Sequence, residues 1–264
     1  MTHADASELI LQQLSPGPAS PILVADFQAM SIAPRLSEML TECVRDQPVF
    51  QIDPVRVLSG TRLYIPLAEL AKACADEFLG TGANHGRVFV VGHCSAAQLA
   101  LRVADLLAPD RLVTAVLVNP SWPDDTYVTA MFDEFLTKFG TASRPCPDLD
   151  ADPRQIVSAM EQLFREQITA LAASKNLSGS AGAFSDLLAW YRAWLAFLLA
   201  SRNDVSTGHA AGQAAVTVLS DSLPAVTVPG RAQEACRMQR LPAQPAGAVT
   251  RELAGIVAAH VADH

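Results

Sequence analysis

Short, continuously apolar runs alternate with stretches of helical spacing along most of the chain. Residues 21–25 (PILVA), 47–53 (QPVFQID), 87–91 (RVFVV), 112–118 (LVTAVLV) and 214–220 (AAVTVLS) read as strands. A weaker strand is expected over 236–241. Unbroken apolar runs of this length fit strands covered on both faces, as in a parallel sheet. Between them, residues 31–45 carry Ile32, Leu36, Met39, Leu40 and Cys43 at helical spacing. Helices are also expected over 65–78, 95–107 and 249–261. Residues 1–20 read as a short helix and a Pro/Ser/Gly lead-in.

The middle of the chain has a different pattern. Residues 124–203 contain no strand candidate, and 131–139, 153–173 and 184–201 have helical periodicity. Polar connectors join them, GTASRPCPDLDADP and SKNLSGSAG. The expected architecture is therefore α/β, a mostly parallel central sheet flanked by helices. Residues 1–123 and 204–264 form its core, and 124–203 are a helical insertion.

Composition narrows the function classes. The chain has 264 residues, half of them hydrophobic, enough for one large α/β domain. No apolar run reaches the roughly 18 residues of a membrane span. No basic segment precedes an apolar stretch at the N-terminus, so no secretory leader is expected. The net charge of -8, with no Lys/Arg cluster, argues against nucleic-acid binding. The five cysteines are scattered and form no C-x-x-C pair, which fits a reduced, cytoplasmic protein without a zinc site. There is no G-x-G-x-x-G and no phosphate-cradling P-loop, so no dinucleotide or metal is expected.

The chemistry concentrates in residues 88–107, VFVVGHCSAAQLALRVADLL. A strand runs into Gly92-His93-Cys94-Ser95-Ala96, and a helix follows. This resembles the nucleophile elbow of the α/β-hydrolase fold, where a tight turn lifts the central side chain above the sheet. Gly92 and Ala96 are small enough to let helix and strand approach. Cys94 takes the nucleophile's place, and the Ser95 N–H would form half of an oxyanion hole.

The whole chain resembles the thioesterase branch of that fold. Its members act on acyl chains carried on phosphopantetheine by polyketide and nonribosomal peptide assembly lines. Two variants of the family carry cysteine at the elbow. One is the Dieckmann cyclases that release tetramates or pyridones; the other is the shuttles that move aminoacyl groups between carrier proteins. The resemblance implies a helical lid over 124–203, an acyl- or peptidyl-carrier protein as partner, and a small acyl or aminoacyl substrate. It implies no bound cofactor, the substrate being presented on phosphopantetheine.

A triad also needs an acid and a histidine. Asn119 stands where the family usually has aspartate, with Asp124 and Asp125 just beyond it. Asp221, at the end of the 214–220 strand, is the other candidate acid; its alternative role is that of a strand-end turn residue. The family's histidine usually lies before the last helix in a stretch resembling LPGGHF. Here the sequence is LPAQPA, residues 241–246. The histidines are His3, His85, His93, His209, His260 and His264. His93 is expected to point away from Cys94, and His260 to lie on the surface. His85 and His209 are expected at the far edge of the sheet, though His209 stays a candidate if the lid folds back. Phe27 or Gln28 would supply the second oxyanion N–H. Asp26, unfavourable beside an oxyanion, must point away or serve another role.

A serine without a base is nearly inert, whereas a thiol is partly ionised near neutrality, and a helix N-terminus favours the anion. Attack on a thioester expels a thiolate of similar basicity, while hydrolysis needs an activated water. Cysteine in and histidine out therefore point to acyl transfer through a covalent Cys94 thioester. The alternative is a non-catalytic pseudo-thioesterase that binds a carrier protein or acyl chain. Further alternatives are a Dieckmann cyclase and a thioester hydrolase. In the insertion, Trp190, Trp194 and Phe197 share one helical face beside Tyr191, either as packing or as an apolar wall for the acyl chain.

Overall fold

Every apolar run read as a strand is one. In order these are Ile22–Ala25 (β2), Val49–Ile52 (β3), Val88–His93 (β4), Val113–Val118 (β5), Ala215–Ser220 (β6) and Cys236–Arg240 (β7). A further strand, Leu11–Ser15 (β1), lies where residues 1–20 were expected to hold a helix. Leu11 pairs with Ile52 and Gln13 with Phe50, so a neighbouring edge overrides the weak helical spacing. The computed structural model describes residues 9–26, 34–60, 62–83, 86–139, 144–174, 184–206, 212–223, 226–243 and 249–263.

The sheet order is β1-β3-β2-β4-β5-β6-β7. β1 runs antiparallel to β3 and all other pairs are parallel. Order along the chain reverses at β4, so crossovers leave in both directions from the sheet centre. Ligand crevices in such sheets open at the carboxyl ends of the strands beside this reversal. The helices are Leu36–Cys43 (α1), Pro54–Leu58 (α2), Leu67–Gly80 (α3), Ala97–Leu107 (α4), Asp125–Phe139 (α5), Pro153–Ser174 (α6), Ser185–Ser206 (α7) and Arg251–Ala262 (α8). α2 has no counterpart in the sequence reading.

The chain divides into two compact units. One comprises residues 54–66 and 123–203; the other comprises 9–53, 67–122 and 204–264. In the helical unit, Phe132 and Phe135 of α5 meet Phe164 of α6 and Tyr191 of α7. Arg192 ties α7 to the end of α2 by donating to the carbonyls of Leu58, Ser59 and Gly60.

In the sheet unit, alternation sorts each strand's side chains between two faces. Ile22, Val24, Phe89, Val91, Val116, Val118 and Leu219 face α1 and α8, meeting Leu36, Leu40, Leu253, Val257 and Val261. Each such fully buried side chain contributes roughly 1.5–3 kcal/mol. α3 and α4 pack together on the opposite face. His260, expected on the surface, is only 6% exposed, because it lies on the same face of α8 as Val257 and Val261. No helix among the described residues is long and apolar enough to cross a membrane.

Candidate active site

The elbow rests on a close approach of β4 and α4. A Cβ on Gly92 would lie 2.6 Å from the Ala100 Cβ and 2.7 Å from the Ala97 Cα. Ala97 and Ala100 are fully buried, and the atom nearest after Ala100 is backbone, so the neighbours cannot swing aside. We expect Gly92→Ala to force the helix off the strand and cost about 1–3 kcal/mol. A lowered urea-denaturation midpoint checks this.

Cys94 follows at φ +51, the left-handed region that non-glycine residues rarely occupy. Such strain costs of order 1–3 kcal/mol and persists where packing and hydrogen bonds fix it. Here the Ser121 N–H donates to the Cys94 carbonyl at 3.2 Å. A 3-10 turn, Cys94–Ala96, opens the helix that continues as α4. The buried Ser95 therefore lies in a first turn, where backbone N–H groups have no partner within the helix.

Three neighbouring strands deliver polar groups to this edge. Asn119, just past β5, is the other non-glycine residue at positive φ among the described residues, at +43, a conformation asparagine tolerates. Its N–H donates to the Leu219 carbonyl at 2.8 Å, and its Oδ1 accepts the Asp221 N–H at 3.1 Å. Asn119 thus clamps the exit of β6 and places Asp221. Asp124 accepts the Tyr127 N–H at 2.8 Å at the start of α5, and Asp125 pairs with Arg202 at 2.6 Å.

The sulfur is not held as a thiolate. Burial pushes the Cys94 thiol up to about 11, and the negative charge of Asp221 adds to the rise. Desolvation outweighs the helix terminus that was expected to favour the anion.

His93 corrects a second expectation. Its side chain does not point away from the nucleophile: Nε2 lies 3.4 Å from the Cys94 Sγ. The turn at Cys94 folds the sulfur back over the preceding strand position. The ring is 5% exposed, and burial lowers it to about 4, so it is a neutral imidazole. The sequence carried a signal for its burial, since His93 follows Phe89 and Val91 on the α1/α8 parity of β4.

Asp26 continues that row. Ala25, the last residue of β2, pairs with Gly92, and Asp26 and His93 are the residues that follow them. Asp26 shares the parity of Ile22 and Val24, as His93 shares that of Val91. It is fully buried. Oδ2 accepts the Ser37 N–H at 2.6 Å, and Oδ1 has no hydrogen-bond partner among the described residues. Burial raises its carboxyl to about 6 against the lowering effect of Ser37.

Phe27, Gln28, His85 and His209 fall outside the described residues. Trp190 and Trp194 stack in the helical unit with centroids 6.2 Å apart and planes at 8°, and Trp194 continues to Phe197.

A family model for the alpha/beta hydrolases matches residues 52–251. The chain belongs to the alpha/beta hydrolase family. Among solved structures, a holo four-domain nonribosomal peptide synthetase bound to AMP and glycine is 12% identical, with a TM-score of 0.61 over 96% of this chain. This chain spans only 20% of that protein's length. The wild-type Vlm2 thioesterase domain is 16% identical, with a TM-score of 0.54 over 96% of this chain and 97% of its own. A putative epoxide hydrolase from Pseudomonas aeruginosa is 15% identical, with a TM-score of 0.54 over 96% and 94%. At these identities the likeness is one of fold. No curated protein matches the chain in sequence.

Proposed function

We propose that this hydrolase-family protein is an acyl or aminoacyl transferase acting on carrier-protein thioesters in polyketide or nonribosomal peptide biosynthesis. The observation that carries the reading is Cys94, a thiol at φ +51 between β4 and α4, with an imidazole against its sulfur. The fold shared with the synthetase and the Vlm2 thioesterase domain supports the substrate class.

In the proposed reaction a phosphopantetheine thioester, presented by an acyl- or peptidyl-carrier protein, meets the Cys94 Sγ. The new S–C bond forms as the pantetheine C–S bond breaks, and the pantetheine sulfur leaves with the thiol's proton. A second thiol reverses the exchange and takes the acyl group away. Substrate and product are both thioesters, so the exchange is nearly balanced and no water has to be activated. The Ser95 N–H, with one from Phe27 or Gln28, stabilises the oxyanion. Asn119 and Asp221 are polar support at the strand ends.

The thiol's rise to about 11 favours a second reading, a pseudo-thioesterase that binds a carrier or acyl chain without chemistry. Intact-protein mass spectrometry after mixing with acyl-pantetheine thioesters separates the readings. Transfer predicts a gain of one acyl group that a second thiol removes. Prompt release of free acid means hydrolysis, and release of a ring means cyclisation. Carrier binding without any acyl gain means a pseudo-enzyme.

A further inference from the structure

The missing loop histidine leaves the thiol's proton without an acceptor, and the thiol is too weakly acidic to lose it unaided. We infer that His93, the residue immediately before the nucleophile, is the proton carrier of the site, with Asp26 on the neighbouring strand as its counter-charge. This rests on the reading of Cys94 as the acylated residue.

The geometry supplies each part. Nε2 is already 3.4 Å from Sγ, within reach of an S–H donor. The ring is neutral when the protein is at rest, so one ring nitrogen carries no proton, and in the tautomer protonated on Nδ1 that nitrogen is Nε2, which can accept one. An imidazolium formed there would be buried, and a buried charge needs a partner. The Asp26 carboxyl, whose Oδ1 has no hydrogen-bond partner among the described residues, follows the β2 residue paired with Gly92 as His93 follows Gly92. Gln51 donates to the Ser37 Oγ at 3.1 Å and Ser37 donates to Asp26, which fixes the carboxyl from the far side. Among the described residues, Asp221 at the end of β6 acts on the sulfur, and the Arg35 guanidinium acts on the Asp26 carboxyl.

The proton is conserved through the cycle. As Sγ attacks the thioester carbonyl, its proton passes to Nε2. As the tetrahedral intermediate collapses and the pantetheine C–S bond breaks, the departing sulfur takes that proton from Nε2. The acceptor thiol then gives its proton to Nε2 as it attacks the Cys94 thioester, and Sγ recovers it on leaving. No water, oxidant or further acid is required.

The test is the rate of Cys94 acylation by an acyl-pantetheine thioester as a function of pH, followed by quenched intact mass. With His93 as acceptor and Asp26 as its counter-charge, the wild-type rate is flat between about 6 and about 11 and drops toward the Asp26→Asn level below about 6, where the carboxyl takes up its proton. His93→Gln must wait for thiolate, so its rate climbs tenfold per pH unit and falls about 10²–10⁴-fold below wild type near neutrality. Asp26→Asn runs at the lower height and stays flat down to about 4, without the wild-type step near 6, which loss of packing alone would not produce. A His93→Gln profile that matches wild type overturns the inference and leaves the Cys94 reading standing. A wild-type profile that keeps climbing with pH above about 6 also overturns it, and an Asp26→Asn plateau at wild-type height removes the counter-charge. Wild-type protein that takes up no acyl group defeats the underlying Cys94 reading. The contact is then judged on its own by ¹⁵N NMR of the imidazole in wild type and Cys94→Ala. A His93 Nε2 resonance unmoved by the loss of the thiol overturns the pairing, and a shifted one sustains it.

Discussion

Cys94→Ala is expected to abolish acyl loading, while Cys94→Ser loads slowly and then fails to unload. Removing the nucleophile of a hydrolase with a full triad costs on the order of 10⁶-fold in rate. For alanine the acylated mass peak should therefore vanish at every pH. Serine keeps the elbow geometry and a hydroxyl at the same site, but near neutrality the hydroxyl is a far weaker nucleophile than sulfur. Any acyl group it accepts becomes an oxygen ester, a poorer acyl donor than a thioester. A second thiol would then not chase it off, and the adduct would accumulate. The two variants thus separate the two half-reactions. Both should fold, since Cys94 is only partly buried and each replacement is smaller. Acyl loading that persists in Cys94→Ala would move the chemistry to another residue.

The second large effect is on stability, and it comes from the buried row beside the nucleophile. Asp26 is raised from 3.8 to about 6, so the folded state holds the extra proton. Its favourable contribution is complete below about 3.8 and is lost as pH rises through 6. His93 is lowered from 6.5 to about 4, so the unfolded state holds the extra proton. Its favourable contribution is present above 6.5 and is lost as pH falls through 4. Each shift amounts to about 3 kcal/mol. In the wild type the two slopes oppose each other between 4 and 6 and largely cancel.

Single variants expose them. Relative to wild type, Asp26→Asn leaves the histidine's slope uncompensated, so stability falls by about 3 kcal/mol as pH is lowered from 6.5 to 4. His93→Gln leaves the carboxyl's slope, so stability falls by about the same amount as pH is raised from 4 to 6. Urea unfolding across this range checks both signs. Parallel curves for wild type and the two variants would show that neither group is desolvated as the structure has it.

The strands, the elbow and the helical insertion were legible in the chain because each is a local pattern. Runs such as VFVV and VTAVLV can be satisfied only between two covered faces. Gly92 and Ala96 are the residues a close helix–strand crossing demands. The β1 strand was not legible, since Leu11 and Gln13 become a strand only by pairing with Ile52 and Phe50. Nor were the roles of Asn119 and Asp26. Asn119 reads as the residue in the place of the family's aspartate until its positive φ and its bond to the Asp221 N–H show a clamp.

By itself the sequence determined a mostly parallel α/β sheet with a thiol at its central turn, because hydrophobic periodicity and steric need at the elbow are properties of neighbouring residues. Only the tertiary structure decided the state of that thiol. Its ionisation depends on how much water the fold removes and on Asp221, which arrives from another strand. The contact with His93 depends on a backbone turn that reverses an expected side-chain direction. Burial, charge and direction in space are set by residues far apart in the chain, so no local pattern could report them.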